Sequence, residues 1–416
     1  MRVLIVNTSE RTGGAAVAAH RLMMALNKHG VKAKMLVRDK ESDSLTVVGL
    51  PKSPLVRWHF LWERLVIFCR LHFSRKRLFE VDIANAGTDI TKLREFQEAD
   101  IIHLHWINQG MLSLSGIRKI LRSGKPVVWT MHDIWPATAV CHLTLGCRSF
   151  TSKCRACKLL PSGSRLAERV WKRKQQMLQD EGIYYVACSR WLESEAKAGA
   201  LLQGHKLTSI PNPIDTHIYH PTDKQKAREL LGLPQDKRLI LFVSQRVTNR
   251  YKGMDYLIEA CRSLKDIPDL GVVILGGHAE EVTNQLPFEA YPLGYVNDEH
   301  RIVEVFNAVD VFVLPSLSEN LPNTIMEAMA CGVPCVGFRV GGIPEEIDHR
   351  ENGYVADYRS AESLAAGIRW ILTEADYAQL SQQAVRKVVQ SYSQQSVAMK
   401  YLDVYHQAMA FKHYGL

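Results

Sequence analysis

Apolar residues in this chain gather in short unbroken runs, and between the runs they recur at helical spacing. Residues 3–7, 34–38, 101–105, 127–131 and 184–188 are such runs, and each predicts a strand. Residues 15–28 carry apolar positions three and four apart and stop at Gly30, which predicts a helix, as does 89–98. The second half repeats the grammar. Strands are predicted at 239–243, 272–275, 290–293, 311–314 and 333–338, with helices at 254–264 and 300–308. Strands that alternate with helices predict an α/β fold of parallel, doubly wound sheets. The run Pro211-Asn212-Pro213-Ile214-Asp215 can continue neither helix nor strand and marks a join. The chain then divides into a domain over 1–208, a domain over 209–393, and a tail over 394–416 whose helix, about 394–412, is expected to cross back onto the first domain.

The densest chemistry lies in residues 310–345. A buried strand runs into a tight loop holding Glu319, a helix follows with Glu327 in its early turns, and a second strand ends at Gly341-Gly342. Pro322 suits a first helical turn, where a missing N–H costs nothing. A loop after such a strand opens at the carboxyl edge of the sheet, where doubly wound folds bind ligands. N–H groups near Asn323 and Thr324 would point at an anion there. Two acids beside an anion-ready helix end suit a sugar nucleotide: one for sugar hydroxyls, one for ribose hydroxyls, and amides for the diphosphate.

Glu319, Pro322, Glu327, Gly332-Val333-Pro334 and Gly341-Gly342 together resemble the donor-site pattern of retaining glycosyltransferases of the GT-B fold, the large group 4 family with its group 1 glycosyl transferase domain. That resemblance implies two Rossmann-like domains facing a cleft, the first binding acceptor and the second binding a nucleotide-sugar donor. The join at 211–215 resembles the linker of the same family. Arg246 and Lys252 follow the first strand of the second domain and match the family's GR…KG pattern, with Gln245 where the pattern has Gly. Fixed cations there would stabilise the charge that develops on a departing nucleoside diphosphate. Gly276 closes the next strand and is placed with the donor-binding residues. Gly13-Gly14 open the first helix, where glycine allows close backbone approach to a phosphate or acceptor. His132, at the carboxyl end of 127–131 and followed by Asp133, matches a family His that contacts the transferred sugar. His103 and His105 share one face of the preceding strand, either packed or facing the cleft.

Charge is unevenly spread. Residues 1–208 hold 33 Lys and Arg against 17 Asp and Glu, net +16, and the remainder is net −7, giving +9 in all. A basic half points to an anionic partner. No nucleic-acid motif accompanies it, so nucleic acid is not expected. Residues 55–79 mix Trp58, Phe60, Trp62, Phe68 and Phe73 with Arg57, Arg64, Arg70, Arg75, Lys76 and Arg77. Charges break this stretch too often to span a bilayer, and it resembles a basic amphipathic helix lying in the interface. The alternative is a helix packed on the first domain. No leader is visible before the first strand, so a cytoplasmic protein on the inner membrane face is expected.

Nine Cys in such a compartment argue against a disulfide framework. Cys141, Cys147, Cys154 and Cys157 cluster directly after His132-Asp133. The C-x2-C pair is half of a usual structural zinc site, and four thiolates can close a tetrahedron. Free thiols, a disulfide and ligation by His142 are the alternatives. Similar insertions occur in transferases of colanic-acid and capsule assembly, the subfamily this chain resembles. The resemblance therefore implies metal-independent, retaining transfer of a hexose to a growing, lipid-linked surface glycan. No carboxylate pair matches the retaining hydrolases, so same-face attack assisted by the leaving phosphate is implied. The rival functions are a GT-B sugar-nucleotide epimerase or phosphorylase, and a non-catalytic membrane or nucleic-acid binding module.

Overall fold

The computed structural model describes residues 1–179 and 182–414. The chain divides into two compact units, residues 1–213 with the return of the chain from Val397, and residues 214–396. Each is built on a parallel sheet.

The first unit holds seven strands: β1 Arg2–Ser9, β2 Lys32–Asp39, β3 Val47–Gly49, β4 Ile101–Leu104, β5 Val127–Met131, β6 Ile183–Ala187 and β7 Lys206–Ser209. Their order is β3-β2-β1-β4-β5-β6-β7. The chain winds outward from β1 in one direction and from β4 in the other, so the order reverses between β1 and β4. The residues that form the central strands are apolar on both faces because both faces are covered. Val3, Leu4, Ile5 and Val6 are all buried, and Val3 to Val6 pair in register with Ile101 to Leu104. The edge strands β3 and β7 are short and mostly half-exposed, which left no apolar run to predict them from.

The expected helix over 89–98 is broken. Asp89 caps a single 3-10 turn, Ile90–Lys92, by accepting from the Thr91 amide, and Leu93 is extended before the helix Arg94–Glu98 begins. The division falls inside the join at 211–215. Ile210 still bonds the Ala187 carbonyl at 3.0 Å and packs in the first unit's core, so the division falls after Pro213 rather than at 208. The last helix, Gln394–Tyr414, contributes Val397, Tyr401, Val404, Tyr405 and Ala408 to the core around Val3, Ile5 and Val128. That spacing of four, three, one and three is one face of a helix.

The second unit holds six strands: β8 Arg238–Arg246, β9 Leu270–Gly277, β10 Glu289–Gly294, β11 Val311–Leu314, β12 Cys335–Phe338 and β13 Gly353–Ala356. Their order is β10-β9-β8-β11-β12-β13. The winding reverses between β8 and β11, and the carboxyl ends of those two strands are where a doubly wound sheet offers its binding crevice.

Candidate functional site

The second unit carries most of the predicted residues, and the reversal point gathers them. Strand β8 loses register with β9 between Val243 and Arg246, and Arg246 pairs with Gly277. Such a bulge re-aims the side chains beyond it. Arg246 is exposed, its Nε donating to Thr248 Oγ1 at 3.1 Å. Gly276 explains itself by crowding. A Cβ there would stand 1.8 Å from the Ser244 carbonyl oxygen, and its φ is +149°. The backbone of β9 is thus pressed onto the bulge that presents Arg246.

Lys252 ends a 3-10 turn, Arg250–Lys252, capped by the Asn249 side chain. Gly253 follows at φ +75°, and a Cβ there would stand 1.9 Å from the Pro315 carbonyl oxygen. The Leu317 amide donates to the Tyr251 carbonyl at 2.8 Å. These contacts dock the loop after β8 onto the loop after β11. Lys252 Nζ consequently meets Glu319 Oε1 at 2.5 Å, in a half-buried setting.

From its other side the Glu319 loop rests on the glycine pair after β12. Gly341, at φ +58°, leaves no room for a Cβ against the Glu319 carbonyl, and the Gly342 amide donates to the Asn320 carbonyl at 2.6 Å. Pro322 is the residue before the helix rather than inside it. The helix runs Asn323–Ala330, and no side chain caps its amino end. Asn323 and Thr324 therefore form its first turn, and Glu327 lies one turn further in, buried.

One residue of this neighbourhood was not predicted. Glu346 is fully buried at the end of the short helix Ile343–Glu346, and neither carboxylate oxygen has a hydrogen-bond partner among the described residues. Burial, then the nearby Glu319 carboxylate, holds its carboxyl well above the usual range, against the pull of Lys387. Two adjacent acids after Gly-Gly-Ile-Pro read as a solvated turn, so sequence carried no signal for it.

The first unit holds Gly13, Gly14 and His132. Gly13 is the residue before the helix Gly14–Lys28, at φ +92° with open space around it, so its backbone angle rather than crowding calls for glycine. His132 follows β5 and is half-buried. Its Nε2 lies 2.9 Å from His105 Nδ1 and its Nδ1 lies 3.3 Å from the Cys188 sulfur. Burial pushes its pKa down to about 4, so the ring is neutral. His103 and His105 are packed residues. His103 bonds Tyr405 Oη and Thr130 Oγ1, both at 2.7 Å, and burial pushes it to about 3.

Asp133 is turned to structural work. It accepts from the Trp106 indole at 2.9 Å, from the Trp135 amide at 2.8 Å, and from His142 Nδ1 at 2.7 Å. The other ring nitrogen of His142 reaches Asp82 Oδ2 at 2.6 Å, and Asp82 also pairs with buried Arg64. Burial opposes the charge on His142, but the two carboxylates outweigh it and push its pKa up to about 10. His142 is thus a half-buried imidazolium that clamps the loop after β5.

The four cysteines expected to hold zinc lie in the chain that follows β5. Among the described residues no group of three or more His, Cys, Asp or Glu stands where it could hold a metal ion, and Cys141, Cys147, Cys154 and Cys157 are free thiols. The physical reason is packing. Cys154 sits in the hydrophobic core and Cys157 packs against it. Burial pushes Cys141 up to about 11 and Cys154 to about 12, which keeps both protonated. The four thiols stand near enough to one another for each to feel its neighbours' charge, and His142 is committed to its two carboxylates.

Comparison with known proteins follows the same division. The family model described as Glycosyltransferase Family 4 matches residues 12–218, and the model described as Glycosyl transferases group 1 matches residues 223–388. N-acetyl-alpha-D-glucosaminyl L-malate synthase of Bacillus anthracis is 23% identical over 209 residues, covering 49% of this chain and 54% of that protein. A putative teichuronic acid biosynthesis glycosyltransferase, TuaC of Bacillus subtilis, is 32% identical over 193 residues, 44% of this chain and 45% of that one. These matches span about half the length of the relatives. D-inositol 3-phosphate glycosyltransferase of Saccharomonospora viridis is 28% identical over 440 residues, covering 98% of this chain and 94% of that protein. Among solved structures, sucrose-phosphate synthase of Thermosynechococcus elongatus matches with a TM-score of 0.71 at 18% identity over 99% of both chains. HepE of Anabaena in complex with UDP-glucose matches with a TM-score of 0.65 at 17% identity, covering 98% of this chain and 100% of that one. At such identities the structural likeness bears on the GT-B fold alone.

Proposed function

This chain belongs to the group 1 glycosyl transferases of the GT-B fold, and from that membership we propose that it moves a hexose from a nucleotide sugar to a growing, lipid-linked surface glycan with retention of configuration. The observation that carries the reading is the Lys252–Glu319 pair, held by two obligatory glycines at the point where the sheet reverses its winding. A cation and an acid fixed 2.5 Å apart there offer a diphosphate and a sugar hydroxyl adjacent partners.

In this reading Arg246, Lys252 and the amino end of Asn323–Ala330 stabilise charge on the departing nucleoside diphosphate. Glu319 accepts hydroxyls of the transferred sugar, and Glu327 accepts those of the ribose. His132 of the first unit is a neutral ring that can donate through one nitrogen once it releases a present partner. The acceptor oxygen bonds to the anomeric carbon as the carbon–phosphate oxygen bond breaks. Its proton passes to the leaving phosphate on the same face. Arg246 and Lys252 supply the charge that a metal supplies elsewhere.

The glycan acceptor is supported by the resemblance to transferases of surface-glycan assembly and by the likeness to TuaC, a putative teichuronic acid biosynthesis glycosyltransferase. The near full-length match to D-inositol 3-phosphate glycosyltransferase favours a second reading, a small phosphorylated acceptor. Thermal stabilisation across a panel of nucleotide sugars identifies the donor. Turnover of that donor is then measured alone, with a polyprenyl-diphosphate glycan, and with inositol phosphate. Slow hydrolysis alone and fast turnover with the lipid-linked glycan is the expected result. Rapid conversion without acceptor identifies an epimerase, and no donor binding at all identifies a non-catalytic module.

A further inference from the structure

The helix Pro54–Arg70 packs Val56, Val66 and Ile67 on the core yet carries a second apolar stripe outward. A helix on a protein surface ordinarily turns its apolar stripe inward and its charges to water. Here Glu63 and Arg64 are buried beside Ile67, where Glu63 Oε1 accepts from the Ile83 and Ala84 amides and Arg64 pairs with Asp82. The outward face carries Leu55, Trp58, Leu61, Trp62 and Leu65. The steps 55, 58, 62 and 65 alternate three and four residues, which is one continuous stripe of a helix. Trp58 is 56% exposed and Leu65 48%. Scattered exposed apolar residues need no explanation, but a contiguous stripe with two Trp marks a surface that something covers.

The charge around the stripe selects the cover. Among residues 51–79 the lone acid is Glu63, and it is buried. The exposed charges are Lys52, Arg57, Arg70, Arg75 and Lys76, all basic. Beyond the helix the chain continues with exposed Phe73. An apolar centre with a cationic rim fits a sheet of anionic headgroups over hydrocarbon, where Trp rings settle at the boundary. A protein partner would have to answer five cations with acids and two indoles with an apolar pocket. Among the described residues no helix is long and apolar enough to cross a membrane, so this one lies in the surface.

We propose that the outward face of Pro54–Arg70 docks the protein on an anionic bilayer, with Trp58, Trp62 and Leu65 entering the headgroup boundary and the basic side chains gripping lipid phosphates. The proposal rests on the lipid-linked acceptor for its purpose and on the exposed stripe for its existence.

The test is co-sedimentation of the full chain with vesicles of phosphatidylglycerol and phosphatidylcholine, and with phosphatidylcholine alone, at low and high salt. Two variants accompany it, Trp58→Gln/Trp62→Gln/Leu65→Gln and Arg57→Gln/Arg70→Gln/Arg75→Gln/Lys76→Gln. The altered side chains are exposed, and circular dichroism checks folding. Binding to the anionic vesicles is expected, weakened by salt, with each variant at least tenfold weaker and the charge variant losing its salt dependence. Wild type that ignores anionic vesicles at low salt, or variants that bind as well as wild type, overturn the proposal. So does a wild-type dimer that the Trp variant converts to monomer, because the face is then a contact between copies. Thermal stabilisation by nucleotide sugar is read on the same samples. Failure of vesicle binding with donor stabilisation intact leaves the transferase reading standing, and the converse result separates the two in the other direction.

Discussion

Lys252 Nζ and Glu319 Oε1 stand 2.5 Å apart, although 67 residues separate them in the chain. The pair is half-buried, so each charge is already partly neutralised before any ligand arrives. A diphosphate that engages Lys252 must share it with Glu319, and a sugar hydroxyl that engages Glu319 frees the ammonium for the phosphate. On the proposed function, donor binding would trade one ion pair for two ligand contacts at a single point of the sheet.

That exchange predicts a particular kinetic pattern. Lys252→Met and Arg246→Met should each lower kcat by about ten- to a hundredfold, less than the ~10²–10³ of a fully enclosed oxyanion donor, because both side chains are partly open to water. KM should change by less than kcat, since charge on the leaving group develops in the transition state. Steady-state kinetics with the identified donor decide it. A raised KM at normal kcat would reassign the residue to ground-state binding.

Glu327→Ala should weaken donor binding by about 1.5–3 kcal/mol, the worth of a hydrogen bond to a charged group. Isothermal calorimetry with the nucleotide sugar and with the free nucleoside diphosphate measures it. The loss should be equal for both ligands, because the proposed partner is the ribose. A loss confined to the nucleotide sugar would move Glu327 to the hexose.

His142 makes a pH-dependent contribution to stability. Its pKa lies near 10 in the fold against an ordinary 6.5. The group therefore stabilises fully below about pH 6.5, and the contribution fades as pH rises through about 10. His142→Gln should cost about 3–5 kcal/mol near pH 6, since it strands Asp82 and Asp133 in a buried setting. Urea unfolding of wild type and variant at pH 6 and pH 10 should show the gap narrowing at the higher pH. A gap that is constant with pH would falsify the imidazolium assignment.

Glu346 moves stability with pH in the same direction as His142, but its presence costs stability at neutral pH where His142 adds it. Its carboxyl is held well above the ordinary 4.5, so the unfolded chain ionises first and stability falls as pH rises past that value. Glu346→Met removes a buried group without partners and should stabilise by about 1–3 kcal/mol at pH 7, with little effect at pH 4. Thermal melts at the two pH values check this. A destabilised Met variant at pH 7 would mean that the acid finds a partner in solution.

Local pattern carried the parts of the site that sit on one strand–loop–helix unit. Glu319, Glu327 and the glycine pair after β12 fall within 24 residues, and a parallel unit of that length leaves its loop at the carboxyl edge whatever surrounds it. The central strands were equally legible, because a run buried on both faces has no polar interruptions. Edge strands β3 and β7 were not, since they are only three and four residues long and mostly half-exposed. The arrangement of the four clustered cysteines was not legible either. Spacing counts residues between thiols, but Cys154 and Cys157 are oriented by the core they pack in.

The sequence by itself determined the alternation of strands and helices, the two-domain α/β architecture, the positions of the acids and cations, and the amphipathic character of residues 54–70. Tertiary structure alone decided which of those groups meet. Lys252 reaches Glu319 because β8 and β11 are neighbours where the winding reverses. His103 is a packed residue because Tyr405, 302 positions away, returns on the last helix to bond it. Glu346 is buried by elements that a turn-like sequence cannot announce. The helix Pro54–Arg70 shows an apolar stripe to solvent because Glu63 and Arg64 are claimed from within by the Ile83 and Ala84 amides and by Asp82. Periodicity fixes the spacing of a stripe along a helix, which is a local property of the backbone. The direction the stripe faces depends on which partners the rest of the chain brings to the other side, and that is set by contacts between residues far apart in sequence.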